Sequence, residues 1–473
     1  MVVKHKFAIL LPLMLGTFMA GIDSSIVNVS LPVMRREFNC GLDDIEWVIT
    51  SYMLGFCVFM PLTNWLKQNF GFYRLYLASL TVFVIGSLLC GLSRSLEMLI
   101  ISRAIQAFGG GAITPTAMAI LTLVFPKKER GAIMGWWSLG AITGPALGPT
   151  LGGILTQYFG WPSIFMVNLP IGIATIIIAA ISLRFLKKRK GKIIHFHLSG
   201  FILFTLFILL IQYALAKAAD LGALSPYVWG TFILSVVVLI LFIRTCRKSK
   251  DPLFDLNIFA SKTFVNCMLI TMVRSIALYS GLFLVPFLLQ GLLNYSETQS
   301  GLMILPNSIV MAIFTPMAGA WSDKFGPRRE VLIGLGILTL SMFLFSRINE
   351  PLAWFILLTM AVRGCGLGLL VSPITSTAMS SVLPHQATQA SSMYSLTQQL
   401  SGSAGIALSG IMHQYLFNYY TTTKNYTAPL AEQYAIQDAF LMSSVLILIA
   451  FMPAFRLPRV KYTDKKPEVV EMV

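Results

Sequence analysis

The chain has 473 residues, of which 56% are hydrophobic and 11% are charged, and its formal net charge is +16. Soluble domains carry about 25% charged residues, so this composition excludes an ordinary soluble protein and indicates a polytopic membrane protein. No phosphate-binding Gly-x-x-x-x-Gly-Lys-Ser/Thr loop occurs and the histidines show no metal-ligand spacing, so we expect neither ATP hydrolysis nor a cofactor.

Apolar stretches follow one another along the whole chain, and a spanning helix needs about 20 such residues. We place fourteen spans at residues 7–34, 44–66, 74–93, 97–124, 131–157, 161–183, 197–217, 226–243, 263–290, 298–321, 330–346, 351–376, 387–413 and 436–455. The sequence therefore predicts an all-α polytopic membrane protein.

The basic residues are distributed unevenly across these spans. With the first residue in the cytoplasm, and with Arg74 and Lys217 at span ends counted with the adjoining loops, 26 of the 35 Lys and Arg fall in cytoplasmic segments, 6 outside and 3 within spans. The positive-inside rule then predicts that both termini are cytoplasmic. The densest run, Lys187 to Lys190 with Lys192, is interpreted as an anchor to anionic membrane lipids. Nucleic acid is not expected as a partner.

Asp23 lies inside the first span, where an unpaired carboxylate costs several kcal/mol. It stands about 16 residues, or roughly 24 Å of helix rise, from the inner end of span one, and Arg103 lies at a similar depth in span four. We expect the two to meet, with Arg103 favouring the ionised carboxylate and with Gln106 and Asn28 orienting the pair. A purely structural ion pair remains the alternative.

An internal repeat divides the chain. Residues Pro61 to Arg74 match Pro316 to Arg329 with Pro, Phe, Gly and Arg in register, and each half then places an arginine, Arg103 or Arg363, in its fourth span. This predicts a first six-helix half in residues 1–184, two inserted spans in 185–262 and a second half in 263–473. Repeats of this kind are typical of transporters whose substrate site lies near the midplane.

Three motifs carry a family resemblance that runs from Phe7 to about Leu457. GIDSSIVNVSLP begins at Gly21, RAIQAFGGGAI begins at Arg103, and LGAITGPALGPTLGG begins at Leu139. The chain resembles the fourteen-span EmrB/QacA drug:proton antiporters of the major facilitator superfamily.

The resemblance implies two six-helix bundles plus two inserted helices. It also implies a proton-coupled exporter of amphiphilic small molecules in the plasma (inner) membrane, with Asp23 and Arg103 in proton coupling. Substrate and protons are then the expected partners, and a periplasmic adaptor stays an open question.

Span five carries small residues at every fourth position and two prolines, which are Gly140, Gly144, Gly148, Gly152, Pro145 and Pro149. Such a face allows close helix approach, and the prolines bend the helix. We expect a seam on which the two halves rock; a static packing face is the alternative.

The loop repeat differs between the halves. The second copy has Asp323, Gly326, Arg328 and Arg329, for which we expect an ion-paired latch at the cytoplasmic gate. The first copy departs from the family pattern: Gln68 stands at the acid position, Asn64 at the first glycine, and Phe72 and Tyr73 at two expected basic positions.

Asn28, Gln106, Arg274 and Arg363 are candidates for the substrate cavity. Arg274 lies about 11 residues into span nine, near the midplane. Either a distant acid such as Asp23 or Glu46 pairs with it, or the substrate supplies the negative charge. The excess of buried arginines predicts neutral, monocationic or anionic substrates rather than dications.

Two other functions remain open. One is a dedicated exporter of a single metabolite, siderophore, lipid or antibiotic. The other is a membrane-embedded enzyme or sensor, which would need clustered catalytic residues or an added soluble domain, and the sequence shows neither.

Overall fold

The computed structural model describes residues 6–459 except 41–44, 46, 189–195, 223–224, 250–251, 253, 287, 290–292, 294, 296 and 349–351. The long helices are α1 Lys6–Phe38, α2 Trp47–Phe59, α3 Leu62–Gly91, α4 Leu96–Val124, α5 Arg130–Phe159, α6 Asn168–Ser182, α7 Leu198–Leu221, α8 Pro226–Lys248, α9 Lys262–Pro286, α10 Glu297–Phe325, α11 Pro327–Phe345, α12 Ala353–Ser380, α13 Ala387–Asn418 and α14 Ala428–Leu448. We call α1–α6 the first half and α9–α14 the second half.

Local sequence signals set the helix ends. The side chain of Ser95 accepts a 3.2 Å hydrogen bond from the Met98 amide and so caps α4, with Glu97 in its first turn, as expected for a helix N-terminus. At Phe125 the backbone becomes extended and α4 ends. Inside α4, Gly109 brings the helix so close to α3 that a Cβ atom would lie 2.5 Å from the Phe83 amide nitrogen.

Ten helices in the described part of the chain are long and apolar enough to cross a membrane. Helices α2, α5, α11 and α13 are not among these ten, and α13 is rich in serine, threonine and glutamine. A helix that packs against other helices needs less apolar surface than one that faces lipid. The chain is a multi-pass membrane protein, and the count of fourteen spans stays a prediction.

The loop repeat is visible in the backbone. Gly71 has φ 79° and ψ 163°, and Gly326 has φ 86° and ψ 155°. Both angles lie in a region that side chains other than glycine rarely adopt. The first copy therefore interrupts α3 at Gly71 and divides it into two helical parts, and the second copy makes the same turn at Gly326 between α10 and α11.

The two ends of the bundle are named here after α1. At the Lys6 end, Lys6 forms a 2.6 Å ion pair with Glu129 in the turn between α4 and α5. At the Phe38 end, the indole nitrogen of Trp161 donates a 2.8 Å hydrogen bond to Glu37.

Hydrogen bonds join the two halves at the Lys6 end. Asp323 accepts hydrogen bonds from the amides of Gly131 and Ala132, and Ser372 donates one to the Gly131 carbonyl. Arg130 donates to Ser380, and Ser391 donates to the Pro115 carbonyl. The hydroxyls of Thr63 and Ser392 share a further hydrogen bond. Helices α5 and α10 touch here, since a Cβ atom on Gly135 would lie 2.6 Å from the Cα of Pro316. In this conformation the Lys6 end is closed.

The inserted helices α7 and α8 pack against each other. Helix α7 also contacts α2 and α13, and Ser403 of α13 donates a 2.6 Å hydrogen bond to Gln212. Phe204 and Ile208 of α7 share one apolar cluster with Cys57 of the first half and Leu396 of the second. The division of the chain at residues 184 and 262 remains our proposal.

Candidate functional site

The Asp23 carboxylate lies inside the first half, where α1, α3, α4 and α6 meet. Its side chain is fully buried, and one oxygen accepts a 2.6 Å bond from Nη1 of Arg103. The other oxygen accepts from Nε2 of Gln106 at 2.8 Å and from Nδ2 of Asn168 at 2.9 Å. Three donors from two helices therefore hold one carboxylate of α1.

Arg103 is fixed on several sides. Its Nε donates to the Val48 carbonyl at 3.2 Å, and Nη1 also donates to Oε1 of Gln106 at 2.6 Å. Its guanidinium carbon lies 4.0 Å from the centre of the Tyr52 ring and 5.6 Å from that of Phe165. These contacts hold the guanidinium in a single orientation towards Asp23.

The sequence predicted the meeting of Asp23 with Arg103 and with Gln106, and the structure contains both contacts. It missed Asn168, which follows the apolar WPSIFMV segment, and Ser87, which accepts from Gln106 at 2.6 Å and from Asn168 at 3.2 Å. A buried asparagine in an apolar span was the available signal. The side chain of Asn28 lies outside the described part of the structure.

The groups around the Asp23 carboxylate are all hydrogen-bond donors. An ionised carboxylate only accepts hydrogen bonds, and every contact to Asp23 comes from an N–H donor. Protonation would turn one oxygen into a donor facing another donor, and it would remove the attraction to Arg103. The three donors thus connect α1 with α4 and α6 through one carboxylate.

Arg363 lies at the corresponding place of the second half. It donates from Nη1 to Asn307 at 3.2 Å and from Nη2 to the Leu278 carbonyl at 2.7 Å. A Cβ atom on Gly281 would lie 2.8 Å from the guanidinium carbon of Arg363. This arginine joins α12 to α9 and α10, and it is 4% exposed.

Arg274 is also buried, and of the two alternatives considered for it, a distant acid or an anionic substrate, the pairing with Asp23 is absent from this structure. Asp23 is engaged by Arg103, and Arg274 forms no ion pair with any acid of the described residues. The other acid considered, Glu46, lies outside the described residues.

The glycine stripe of α5 faces α1 in the same half. Added Cβ atoms would lie 2.6 Å from the Met14 carbonyl oxygen at Gly140, 2.7 Å from that of Phe18 at Gly144 and 2.7 Å from that of Ile26 at Gly152. Gly148 lies against the Ser25 hydroxyl. The stripe therefore packs α5 against α1 within the first half, while Gly131 and Gly135, earlier in α5, contact the second half. The rocking seam expected for this helix stays a prediction.

Two prolines interrupt the same stripe. Pro145 of α5 packs against α1, and its Cδ atom is 3.0 Å from the position that a Cβ atom on Gly21 would occupy. The side chain of Pro149 lies outside the described part of the structure.

The prediction that Asp323 forms an ion pair with the basic residues of its loop is wrong in this structure. Asp323 accepts bonds of 3.0 and 2.9 Å from the amides of Gly131 and Ala132, the first residues of α5 after Arg130. A carboxylate at this place satisfies free amides and complements the helix dipole. Asp323 thus holds the N-terminus of α5 from across the boundary between the halves.

The basic residues of the loop lie elsewhere. Arg328 stands over Phe455 at 5.4 Å, and Arg329 over Phe325 at 5.9 Å. In the first copy of the motif, Lys67 stands over Phe72 at 5.3 Å.

We compared the sequence and the fold with those of known proteins. The sequence pattern of the Major Facilitator Superfamily matches residues 13–406. The multidrug resistance protein B homolog of Mycobacterium tuberculosis is 32% identical over 86% of this chain and 76% of its own length. The multidrug export protein EmrB of Haemophilus influenzae is 30% identical over 85% of this chain and 79% of its own.

A solved structure shares the fold. The human organic anion transporter MFSD10 superposes with a TM-score of 0.69 at 16% identity, covering 95% of this chain and all of that one.

Proposed function

This chain belongs to the Major Facilitator Superfamily, and we propose that it is a proton-coupled multidrug exporter of the fourteen-span EmrB/QacA type. Its substrates are amphiphilic small molecules, and it works in the plasma (inner) membrane with both termini in the cytoplasm. The names of the two relatives support export of drugs. A periplasmic adaptor is not part of the proposal.

The observation that carries the proposal is the Asp23 cluster. A buried carboxylate held by an arginine and two side-chain amides receives only N–H donors, and a proton on it would place a donor against a donor. A proton can therefore bias the packing of α1 against α4 and α6. In a two-state transporter, such a bias is the physical requirement for coupling.

The conformation described here is one of the two states. The Lys6 end is closed by Asp323 on the N-terminus of α5 and by the close contact of Gly135 with Pro316. With this end in the cytoplasm, the protein faces outward with Asp23 ionised. A proton arriving from outside then loosens the Asp23 cluster and favours opening of the Lys6 end, and the substrate enters from the cytoplasm.

Reconstituted protein tests this proposal. Liposomes containing a trapped pH dye and an imposed pH gradient are mixed with amphiphilic compounds one at a time. We expect proton flux when a substrate is added, and several chemically different compounds should produce it. A single active compound would favour the dedicated exporter. Transport that proceeds equally fast with and without a pH gradient would contradict proton coupling.

A further inference from the structure

Helix α9 carries a second group of buried polar side chains, separate from the Asp23 cluster. Arg274 is 1% exposed, and Thr271 and Ser275 are fully buried. Their spacing of three and four residues places them on one face of the helix. Nε and Nη2 of Arg274 and the hydroxyls of Thr271 and Ser275 have no hydrogen-bond partner among the described residues.

These hydroxyls differ from most others in the membrane helices. Thr315 donates to the Met311 carbonyl at 2.7 Å, Thr359 to Phe355 at 2.8 Å and Ser409 to Gly405 at 2.8 Å. In such cases the preceding turn of the helix satisfies the hydroxyl. Thr271 and Ser275 make no bond of this kind, so both can donate to a group beside Arg274.

None of the acids that the structure describes in the second half forms an ion pair with Arg274; among them, Glu330 has one oxygen without a hydrogen-bond partner and lies in the first turn of α11. Asp323 binds the start of α5, Glu432 lies 3.0 Å from His413, and Asp438 accepts from Tyr420. An arginine in a protein keeps its charge, and an unpaired cation at membrane depth is costly. The charge of Arg274 therefore calls for an anion from outside this set of residues.

The position of Arg274 fits a substrate site. It lies 12 residues after Lys262, the first residue of α9, which is about 18 Å of helix rise and close to the midplane, where repeat-built transporters bind their substrates. Leu278, whose carbonyl accepts from Arg363, is one turn further on. Two guanidinium groups thus lie along the same stretch of α9, which favours an anion and disfavours a dication.

We propose that Thr271, Arg274 and Ser275 bind the anionic group of an amphiphilic substrate, such as a sulfonate or a carboxylate. The guanidinium donates two bonds to the anion, and the two hydroxyls donate further bonds. This inference rests on the proposed export function and narrows its substrates to compounds that carry an acidic group. The donors are buried here, so the anion reaches them when the Lys6 end opens.

Two fluorescent probes that differ in a single group test the proposal. 8-Anilinonaphthalene-1-sulfonate is the sulfonated form of the neutral N-phenyl-1-naphthylamine. The full chain is placed in phosphatidylcholine nanodiscs, each probe is titrated without any ion gradient, and the signal of empty nanodiscs is subtracted. The variants are Arg274→Gln, Arg274→Lys and Thr271→Val, and Arg347→Gln replaces an exposed arginine as the control.

We expect saturable binding of the sulfonate to the natural chain and to the Arg347→Gln protein. Arg274→Gln should weaken sulfonate binding by about tenfold or more, since it removes charge-assisted hydrogen bonds. Arg274→Lys should retain part of the affinity, and Thr271→Val should lose a smaller part. The neutral probe should bind all variants equally.

Thermal unfolding without probe gives a second measure. Removing an unpaired buried charge should leave the unfolding midpoint unchanged or raise it, so a large decrease in the Arg274→Gln protein would assign Arg274 to a structural pair and overturn the proposal. Equal sulfonate binding in the natural and Arg274→Gln proteins, or none in the natural chain, would overturn it too.

The lipid composition of the nanodiscs distinguishes an anionic substrate from an anionic lipid head group as the bound anion. If phosphatidylglycerol nanodiscs weaken sulfonate binding only when Arg274 is present, an anionic lipid head group competes for the same donors. Because all titrations are made without a gradient, they can fail while proton coupling by Asp23 stands, and they can succeed where it fails.

Discussion

Arg103 and Arg363 occupy corresponding places in the two halves, but of the two only Arg103 binds a carboxylate among the described residues. Arg103 donates to Asp23 at 2.6 Å, whereas Arg363 donates to the Leu278 carbonyl at 2.7 Å and to the Asn307 amide oxygen. The repeat therefore conserves the buried arginine and places a titratable partner in the first half. Proton sensitivity is accordingly expected from Asp23 and not from the Arg363 cluster.

The first prediction concerns Asp23→Asn, which keeps the size of the side chain but cannot ionise. We expect transport driven by a pH gradient to fall to background, because the proton-dependent contact with Arg103 is gone. Exchange of labelled for unlabelled substrate without a gradient should persist. Both rates are measured in the same liposomes.

The matched control is Ser24→Ala, next along α1, where the hydroxyl is exposed and donates only to the Gly21 carbonyl. It should retain gradient-driven transport. Full coupling in the Asp23→Asn protein would assign Asp23 to structure alone. The Arg103→Ala protein should transport less than the Asp23→Asn and Ser24→Ala proteins. It should also lose about 3–5 kcal/mol of stability, because a buried carboxylate is left without its ion-pair partner.

The second prediction concerns the closed Lys6 end. Asp323→Asn removes the charge that faces the amides of Gly131 and Ala132, and a charge at a helix N-terminus contributes about 0.3–2 kcal/mol. We expect the open form of this end to become up to about tenfold more populated and transport to be strongly impaired. The fraction that is open can be measured by spin-label distances across the boundary.

The other residues of the repeated loop serve as controls. Arg328→Gln should be mild because Arg328 lies over Phe455 and not beside Asp323. Gln68→Ala in the first copy should be mild as well, since no charge is lost. Equal defects in Asp323→Asn and Arg328→Gln proteins would restore the ion-paired latch.

The third prediction concerns the seam between α1 and α5. A Cβ atom on Gly144 would lie 2.7 Å from the Phe18 carbonyl oxygen and 2.8 Å from the Ile22 amide nitrogen. Gly144→Ala should therefore force the helices apart and cost about 1–3 kcal/mol of stability. The midpoint of thermal unfolding in one detergent measures the loss.

Gly230→Ala on α8 is the matched control, since nothing lies within 4 Å of its added Cβ atom. Removal of a glycine from a helix interior there should be neutral or stabilise by about 0.5–1 kcal/mol. A Gly144→Ala protein as stable as the Gly230→Ala protein would show that the seam tolerates wider spacing.

The fourth prediction concerns orientation. Single cysteines at positions 189 and 465, which lie outside the described residues, should not react with a membrane-impermeant reagent in intact cells, because the basic segments are expected inside. A cysteine at exposed Thr422, which follows α13 at the end of the bundle where Phe38 lies, should react. The reverse pattern would invert the topology and the direction of export.

Local chemistry was enough to predict the helices and the meeting of Asp23 with Arg103. Long apolar runs identify spanning segments, and rise per residue places Asp23 and Arg103 at one depth. The repeat of the Pro61 and Pro316 motifs, with glycine in register at positions 71 and 326, is also visible in the backbone, because glycine permits a conformation that other residues avoid.

Contacts between distant segments were decided only by the tertiary structure. The sequence shows that Gly144 allows a close approach but not that its neighbour is α1, and it shows that Asp323 is an acid but not that its partners are backbone amides of α5. Glycine residues and backbone amides do not specify which helix they contact, because every helix offers the same backbone groups. Which helices meet follows from the packing of the whole bundle, and the same packing leaves the donors of Arg274, Thr271 and Ser275 without a protein partner among the described residues.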